Sequence, residues 1–244
     1  MITAAPKQSK RAAKAERFFA VGGDLFCGCG GGTEGAKEAW EEIGQELGVE
    51  IDLNMVAVNH WDVAIKTHSA NHPGYKHHRE NLDTVDPRQI VPSRHLLFLW
   101  ASPECTNHSY AAGGRPKNDQ SRATAWCVVR WAEALDIKNI MIENVVEFRD
   151  WGPLYTDCIC GLGIEVAPDK HPKECHYMKP IPEKKGKFYR SWLRTFKDLG
   201  YTISERVLCA ADFGDATTRK RLFIQMRKDG RRPIWPEVTH HLVI

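Results

Sequence analysis

The order of segments in this 244-residue sequence predicts an α/β fold with a doubly wound, mostly parallel sheet. Three observations predict it. Short apolar runs alternate with stretches of helical spacing from Phe18 to Met226. The first run passes into a glycine-rich turn, Cys27-Gly28-Cys29-Gly30-Gly31-Gly32, and then into a helix. The run Leu96-Leu97-Phe98-Leu99-Trp100 is apolar throughout, as in a fully buried strand.

Taken in order, residues 1–17 are basic and polar and read as a disordered leader ahead of one domain over 18–244. Phe18 to Phe26 is the first strand. Thr33 to Leu47 places Ala36, Ala39, Trp40, Ile43 and Leu47 on or near one face of a helix. Ile51 to Asn59 is a second strand, and Asp62 to Ser69 a helix that Asn71-His72-Pro73-Gly74 terminates. A third strand falls near Asn81-Leu82, and Leu96 to Trp100 is the fourth. Ala111 to Gln120, polar and rich in Gly and Pro, reads as a mobile loop. Ser121 to Leu135 is a helix with Ala125, Val128, Val129, Ala132 and Leu135 inward, and Lys138 to Ile142 is a fifth strand. After an irregular insertion at 151–186, Lys187 to Leu199 is helical, and Tyr201 to Leu208 and Leu222 to Met226 are the last strands.

Composition narrows the function classes. The apolar fraction of 42% fills a core, and a net charge of +3 excludes a polybasic nucleic-acid binder. Lys and Arg do cluster at Lys7–Arg17, Lys184–Arg194 and Arg219–Arg232, which permits local phosphate contacts. Eight cysteines are too few for a disulfide scaffold of this length, and no signal peptide precedes them. No run approaches the ~18 apolar residues that span a membrane, so a cytoplasmic location is expected.

Two stretches carry chemistry by themselves. Cys105 lies just past the fourth strand, at the rim where ligands of α/β sheets bind, with Ser102, Thr106, Asn107 and Ser109 around it. Buried cysteines are usually inert packing, so its neighbours elsewhere decide its role. The glycine-rich turn leaves amides free at a helix start, which suits a pyrophosphate or the carboxylate of an amino-acid-like cofactor. No Gly-Lys-Ser/Thr follows, which argues against a P-loop nucleotide hydrolase.

Gly28-x-Gly30-Gly31 after Asp24-Leu25-Phe26, Pro103-x-Cys105, Glu143-Asn144-Val145 and Arg219-x-Arg221 appear in this order, each at a strand end or start. Together they resemble the DNA cytosine-5 methyltransferases, from about Phe18 to Arg227. The resemblance implies a Rossmann-like, S-adenosyl-L-methionine-dependent methyltransferase fold. It implies that Cys105 attacks C6 of cytosine as a thiolate and that C5 receives the methyl group. Glu143 would bond or protonate N3, a role for a carboxyl that burial helps to hold a proton. Arg219 and Arg221, alternating on an extended segment, would reach the base carbonyl, Glu143 or a phosphate.

The resemblance also assigns cofactor contacts. Phe26 packs on the adenine, Gly28, Cys29, Gly30 and Gly31 form the turn, and Trp61 lies against the cofactor. His60 stands where the family has a ribose-binding acid, and Asn81, beside Leu82, where an aspartate receives the adenine amino group. Pro103 borders the site. Glu104 replaces a second proline before the cysteine and is expected to point away from the thiol. Trp151 to Gly186 holds Cys158, Cys160, Cys175 and His176, weak zinc candidates because Cys-x-Cys is not the usual spacing.

A duplex substrate requires the cytosine to be flipped out of the stack. The family's target-recognition region and final helical motif follow the last strand matched here, and only Lys228 to Ile244 remain. Either a second polypeptide supplies those parts, making the chain one subunit of a split methyltransferase, or the chain is a truncated relative. The alternative is a truncated, non-catalytic cofactor-binding remnant. A tRNA-modifying cytosine methyltransferase is a third class, but its usual residue pattern beside the cysteine is absent.

Overall fold

The computed structural model describes residues 16–104, 124–158, 160 and 176–240. Among these, a seven-stranded sheet has the order β3-β2-β1-β4-β5-β9-β8. Its strands are β1 (Arg17–Leu25), β2 (Glu50–Asn59), β3 (Lys76–Arg79), β4 (His95–Ala101), β5 (Asp136–Asn144), β8 (Thr202–Cys209) and β9 (Lys220–Arg227). All pairings are parallel except those of β9, which runs antiparallel to both β5 and β8. The insertion is more regular than expected: β6 (Leu154–Cys158) and β7 (His176–Pro180) form an antiparallel pair.

The helices are α1 (Gly31–Leu47), α2 (Asp62–Asn71), α3 (Pro87–Ile90), α4 (Trp126–Ala134) and α5 (Lys187–Asp198). Chain order dictates where they lie. From β1 the crossovers through α1 and α2 move toward β3, whereas β4–α4–β5 moves the other way. Right-handed crossovers therefore put α1 and α2 on one face and α4 on the other. On the α4 and α5 face, Leu96, Leu99, Ile137, Ile142, Leu222 and Ile224 are buried against Trp131, Trp192 and Phe196. Of the polar aromatics there, Trp192 Nε1 donates to the Ala125 carbonyl at 3.0 Å and Tyr201 OH to that of Ile137 at 2.8 Å, whereas Trp131 Nε1 is buried with no partner among the described residues.

The other face is only partly covered by the described residues. The stripe of α1 does not sink into a core: Ala36, Trp40 and Ile43, with Phe98, Trp100 and Ile234, line an open apolar groove of about 600 Å³. The third strand is at 76–79, and Asn81-Leu82 follow it in a turn. Its sequence Lys-His-His-Arg has no apolar alternation because it is an edge strand, where charged side chains are normal. The helix expected to end at Ser69 continues to Asn71. Residues 105–123, including Cys105, the whole of the expected loop and the start of the expected third helix, lie outside the described residues, as does the leader through residue 15.

Candidate active site

Register brings the motifs to one edge. Leu25 pairs with both Val58 and Ala101, and Ala101 pairs with Ile142, so β2, β1, β4 and β5 end side by side. Antiparallel β9 starts where β5 ends, with Asn144 opposite Leu222. The crevice between β1 and β4, where the winding reverses, is the general binding position of such sheets.

On one side of that crevice, Glu143 meets both arginines. Its Oε1 lies 3.1 Å from Arg221 Nε and 3.7 Å from Arg219 NH2. The carboxyl is 20% exposed, so it sits between guanidinium groups at a rim rather than in the apolar burial expected for it. Next to it, Asn144 is buried and donates from Nδ2 to the Pro103 carbonyl at 3.2 Å, while its Oδ1 accepts the Val145 amide. Ser102 N donates to the Leu25 carbonyl, and Trp100 Nε1 to Ser102 Oγ. The segment leading into Cys105 is thus pinned from β1 and β5. Glu104, the last residue before the undescribed stretch, is half-buried rather than turned fully outward.

On the other side lies the glycine turn. Phe26 has φ of 60°, a left-handed conformation rare for an aromatic residue, and Gly30 has φ of 101°. A Cβ at Gly30 would run into the His72 ring, so both backbone angle and space demand glycine there. Gly28 and Cys29 are exposed, and a Cβ on Gly28 or Gly31 would meet nothing within 4 Å: the turn opens onto free space. The Cys27 thiol is buried, and burial with the neighbouring Asp24 pushes its pKa far up, which disfavours the thiolate. Trp61, 59% exposed, caps α2 beside this turn, and His60 is exposed next to it.

At the third corner, Asn81 Oδ1 accepts the Asp83 amide at 2.9 Å, leaving a lone pair for a further donor. Leu82 is 4% exposed and belongs to the core, so its side chain is not available to a ligand. Sequence reasoning missed Arg130. From α4 it donates to the carbonyls of Leu82 at 2.9 Å, Val85 at 3.1 Å and also Asp83, binding the Asn81 turn to the covered face.

The sequence model of the family described as C-5 cytosine-specific DNA methylase matches residues 21–151 and 181–239. The chain belongs to that family. Each motif above falls within the matched ranges, and the unmatched gap coincides with most of the insertion. The chain is 27% identical over 210 residues to the Type II methyltransferase M.DdeI of Desulfomicrobium norvegicum, covering 85% of this chain and 40% of that one. It is 24% identical to the Type II methyltransferase M.AgeI of Thalassovita gelatinovora, covering 89% and 42% respectively. This family member therefore spans less than half the length of those relatives. In fold it is similar to an Entamoeba histolytica methyltransferase (TM-score 0.55, 16% identity, 93% of this chain and 58% of that one). A prophage-encoded E. coli DNA modification methyltransferase is similar too (TM-score 0.56, 20% identity, 86% and 47%). The shared architecture is the Rossmann-like methyltransferase fold.

Within the insertion, Cys158 and Cys160 place their sulfurs 2.7 Å apart. Cys175 lies outside the described residues, and for His176 only its place in β7 is described. Among the described residues no group of three or more His, Cys, Asp or Glu could hold a metal ion.

Proposed function

We propose that this chain is the catalytic and cofactor-binding portion of an S-adenosyl-L-methionine-dependent DNA cytosine-5 methyltransferase. The observation that carries this reading is Glu143 between Arg219 and Arg221, on the same sheet edge as the glycine turn and the Pro103 segment that runs into Cys105. The residues fit the cofactor: open amides at the turn for its carboxylate, Phe26 and Trp61 for the adenine, and Asn81 for the adenine amino group. When bound, S-adenosylmethionine supplies the methyl group that C5 receives. Cys105 adds through its sulfur to C6 of cytosine, which raises electron density at C5. Glu143 bonds the ring at N3 as charge accumulates there. Arg221 and Arg219 hold that carboxyl in place and reach the base carbonyl or a phosphate.

The base must be flipped from DNA into this crevice. Target recognition comes from a second polypeptide or from a further segment of the enzyme. That one sheet face is half open among the described residues supports this, because a mostly parallel sheet is stable when both faces are covered. An amphipathic helix with an apolar face matches the groove beside α1. No described helix is long and apolar enough to cross a membrane. We place the protein in the cytoplasm of a prokaryotic or phage-infected cell, in DNA modification.

The test is a covalent trap. DNA carrying 5-fluorocytosine, mixed with the chain and cofactor, gives a denaturant-resistant adduct, and Cys105→Ala gives none. An adduct that needs an added partner chain identifies a split enzyme. Absence of any adduct, alone or with candidate partners, means a non-catalytic remnant.

A further inference from the structure

Three side chains from two elements grip the glycine turn from behind. Asn59, the last residue of β2, donates from Nδ2 to the Cys27 carbonyl at 2.7 Å. Asn71, the last residue of α2, donates from Nδ2 to the Cys29 carbonyl at 2.7 Å. His72, which caps that helix and is buried, sets Nε2 3.2 Å from the Gly30 carbonyl. A carbonyl only accepts, so that nitrogen carries a proton. In a planar trans peptide the C=O and the next N–H point in opposite directions. Tying back the carbonyls of residues 27 and 29, together with that of residue 30, which also accepts the Glu34 amide at 2.8 Å as the first bond of α1, turns the amides of Gly28, Gly30 and Gly31 forward. None of these amides bonds another described backbone group, and the space before Gly28 and Gly31 is open.

The grip is braced from beneath. Thr33 Oγ1 donates to the buried Asp24 carboxylate at 2.8 Å and lies 3.0 Å from His68 Nε2. His68 Nδ1 lies 2.9 Å from His77 Nε2. Thr33 spends its single proton on the Asp24 carboxylate and so meets His68 as an acceptor, while the other ring nitrogen of His68 faces His77. This buried chain joins β3, α2, α1 and β1, and so fixes the helix that bears Asn71. Burial, then the neighbouring His68, hold His77 below the ordinary histidine range, in keeping with a neutral link. Glu34 Oε2, 3.5 Å from His72 Nδ1, holds the other side of that ring.

We infer that Asn59, Asn71 and His72 are positioning residues that aim three backbone amides at the carboxylate of the cofactor. A cluster of forward amides at the start of α1 is an anion cradle, and the carboxylate is the cofactor's only anion. The inference rests on the cofactor reading above. It differs from that reading in what it requires: selectivity for one end of the ligand.

The experiment compares two ligands by calorimetry on the 244-residue chain: S-adenosylhomocysteine, which has the carboxylate, and methylthioadenosine, which lacks it. Asn59→Asp keeps the shape but sets an acceptor against the Cys27 carbonyl. It weakens S-adenosylhomocysteine about 10-fold or more and leaves methylthioadenosine within about 2-fold. His72→Leu acts in the same direction, and His72→Gln, which restores an N–H, recovers most of the affinity. Equal loss for both ligands means a merely structural role and overturns the inference, as does no loss at all. Should Asn59→Asp fail to fold by circular dichroism, the His72 pair decides alone. A wild-type chain that binds neither ligand overturns the cofactor reading and this inference with it. One that binds both ligands, with variants that do not discriminate, overturns this inference only.

Discussion

On the face covered by α4 and α5, Leu99, Ile142 and Leu222 have no exposed surface, while on the face shared with α1 and α2, Phe98, Trp100 and Phe223 stay half-exposed. The strands are the same; the residues simply alternate between the faces. What differs is the cover. Two helices rich in aromatics seal the first face, and α1 sits mainly over β2, so that among the described residues β4, β5 and β9 are open on the second. The sealed face holds the fold together. The open face borders the candidate site, since Trp100 reaches from the groove to Ser102 at that sheet edge and a Cβ on Gly32 would meet its ring at 2.6 Å.

The comparison breaks if the sealed face turns out not to dominate stability. Trp192→Ala removes a ring with no exposed surface that packs on Phe148 and Phe196 and bonds the Ala125 carbonyl. It costs about 3–5 kcal/mol in urea unfolding. A loss below ~1 kcal/mol would mean that the α4–α5 layer is not the stabilising one.

Arg130→Met comes next in size and sharpens the link between sealed face and site. It keeps much of the side chain's apolar stem but leaves the carbonyls of Leu82, Asp83 and Val85 without their donor. The expected cost is roughly 1.5–3 kcal/mol. Because Asn81 belongs to the same turn, adenosine affinity falls with it. Unchanged adenosine binding by calorimetry would separate Arg130 from the site.

The sealed face was legible and the site only in part, for reasons that particular residues show. Ala125, Val128, Val129, Ala132 and Leu135 are apolar at helical spacing, and all are buried. Ala36, Trp40 and Ile43 obey the same spacing, yet they line a groove: periodicity reports which residues share a face, not whether something covers it. β3 escaped because an edge strand of Lys and His lacks apolar alternation. Glu143, Arg219 and Arg221 were legible because their chemistry is distinctive and each flanks a strand. Arg130, Asn71 and His68 were not, because a polar side chain that bonds a backbone carbonyl or a neighbouring ring has no periodic signature; only the fold reveals the groups it meets.

The smallest expected effect tests the open face most directly. Ile234 is 80% exposed and lines the groove. A side chain already in water loses nothing on replacement by a polar one, so Ile234→Ser changes stability by less than ~0.5 kcal/mol. The same substitution lowers binding of an apolar fluorescent dye, because the groove loses part of its apolar wall. A destabilisation above ~1 kcal/mol would mean that residues 228–240 close over the sheet in solution, as burying such a side chain contributes about that much or more. The two faces would then be equally finished, and the groove would offer no seat for a covering helix.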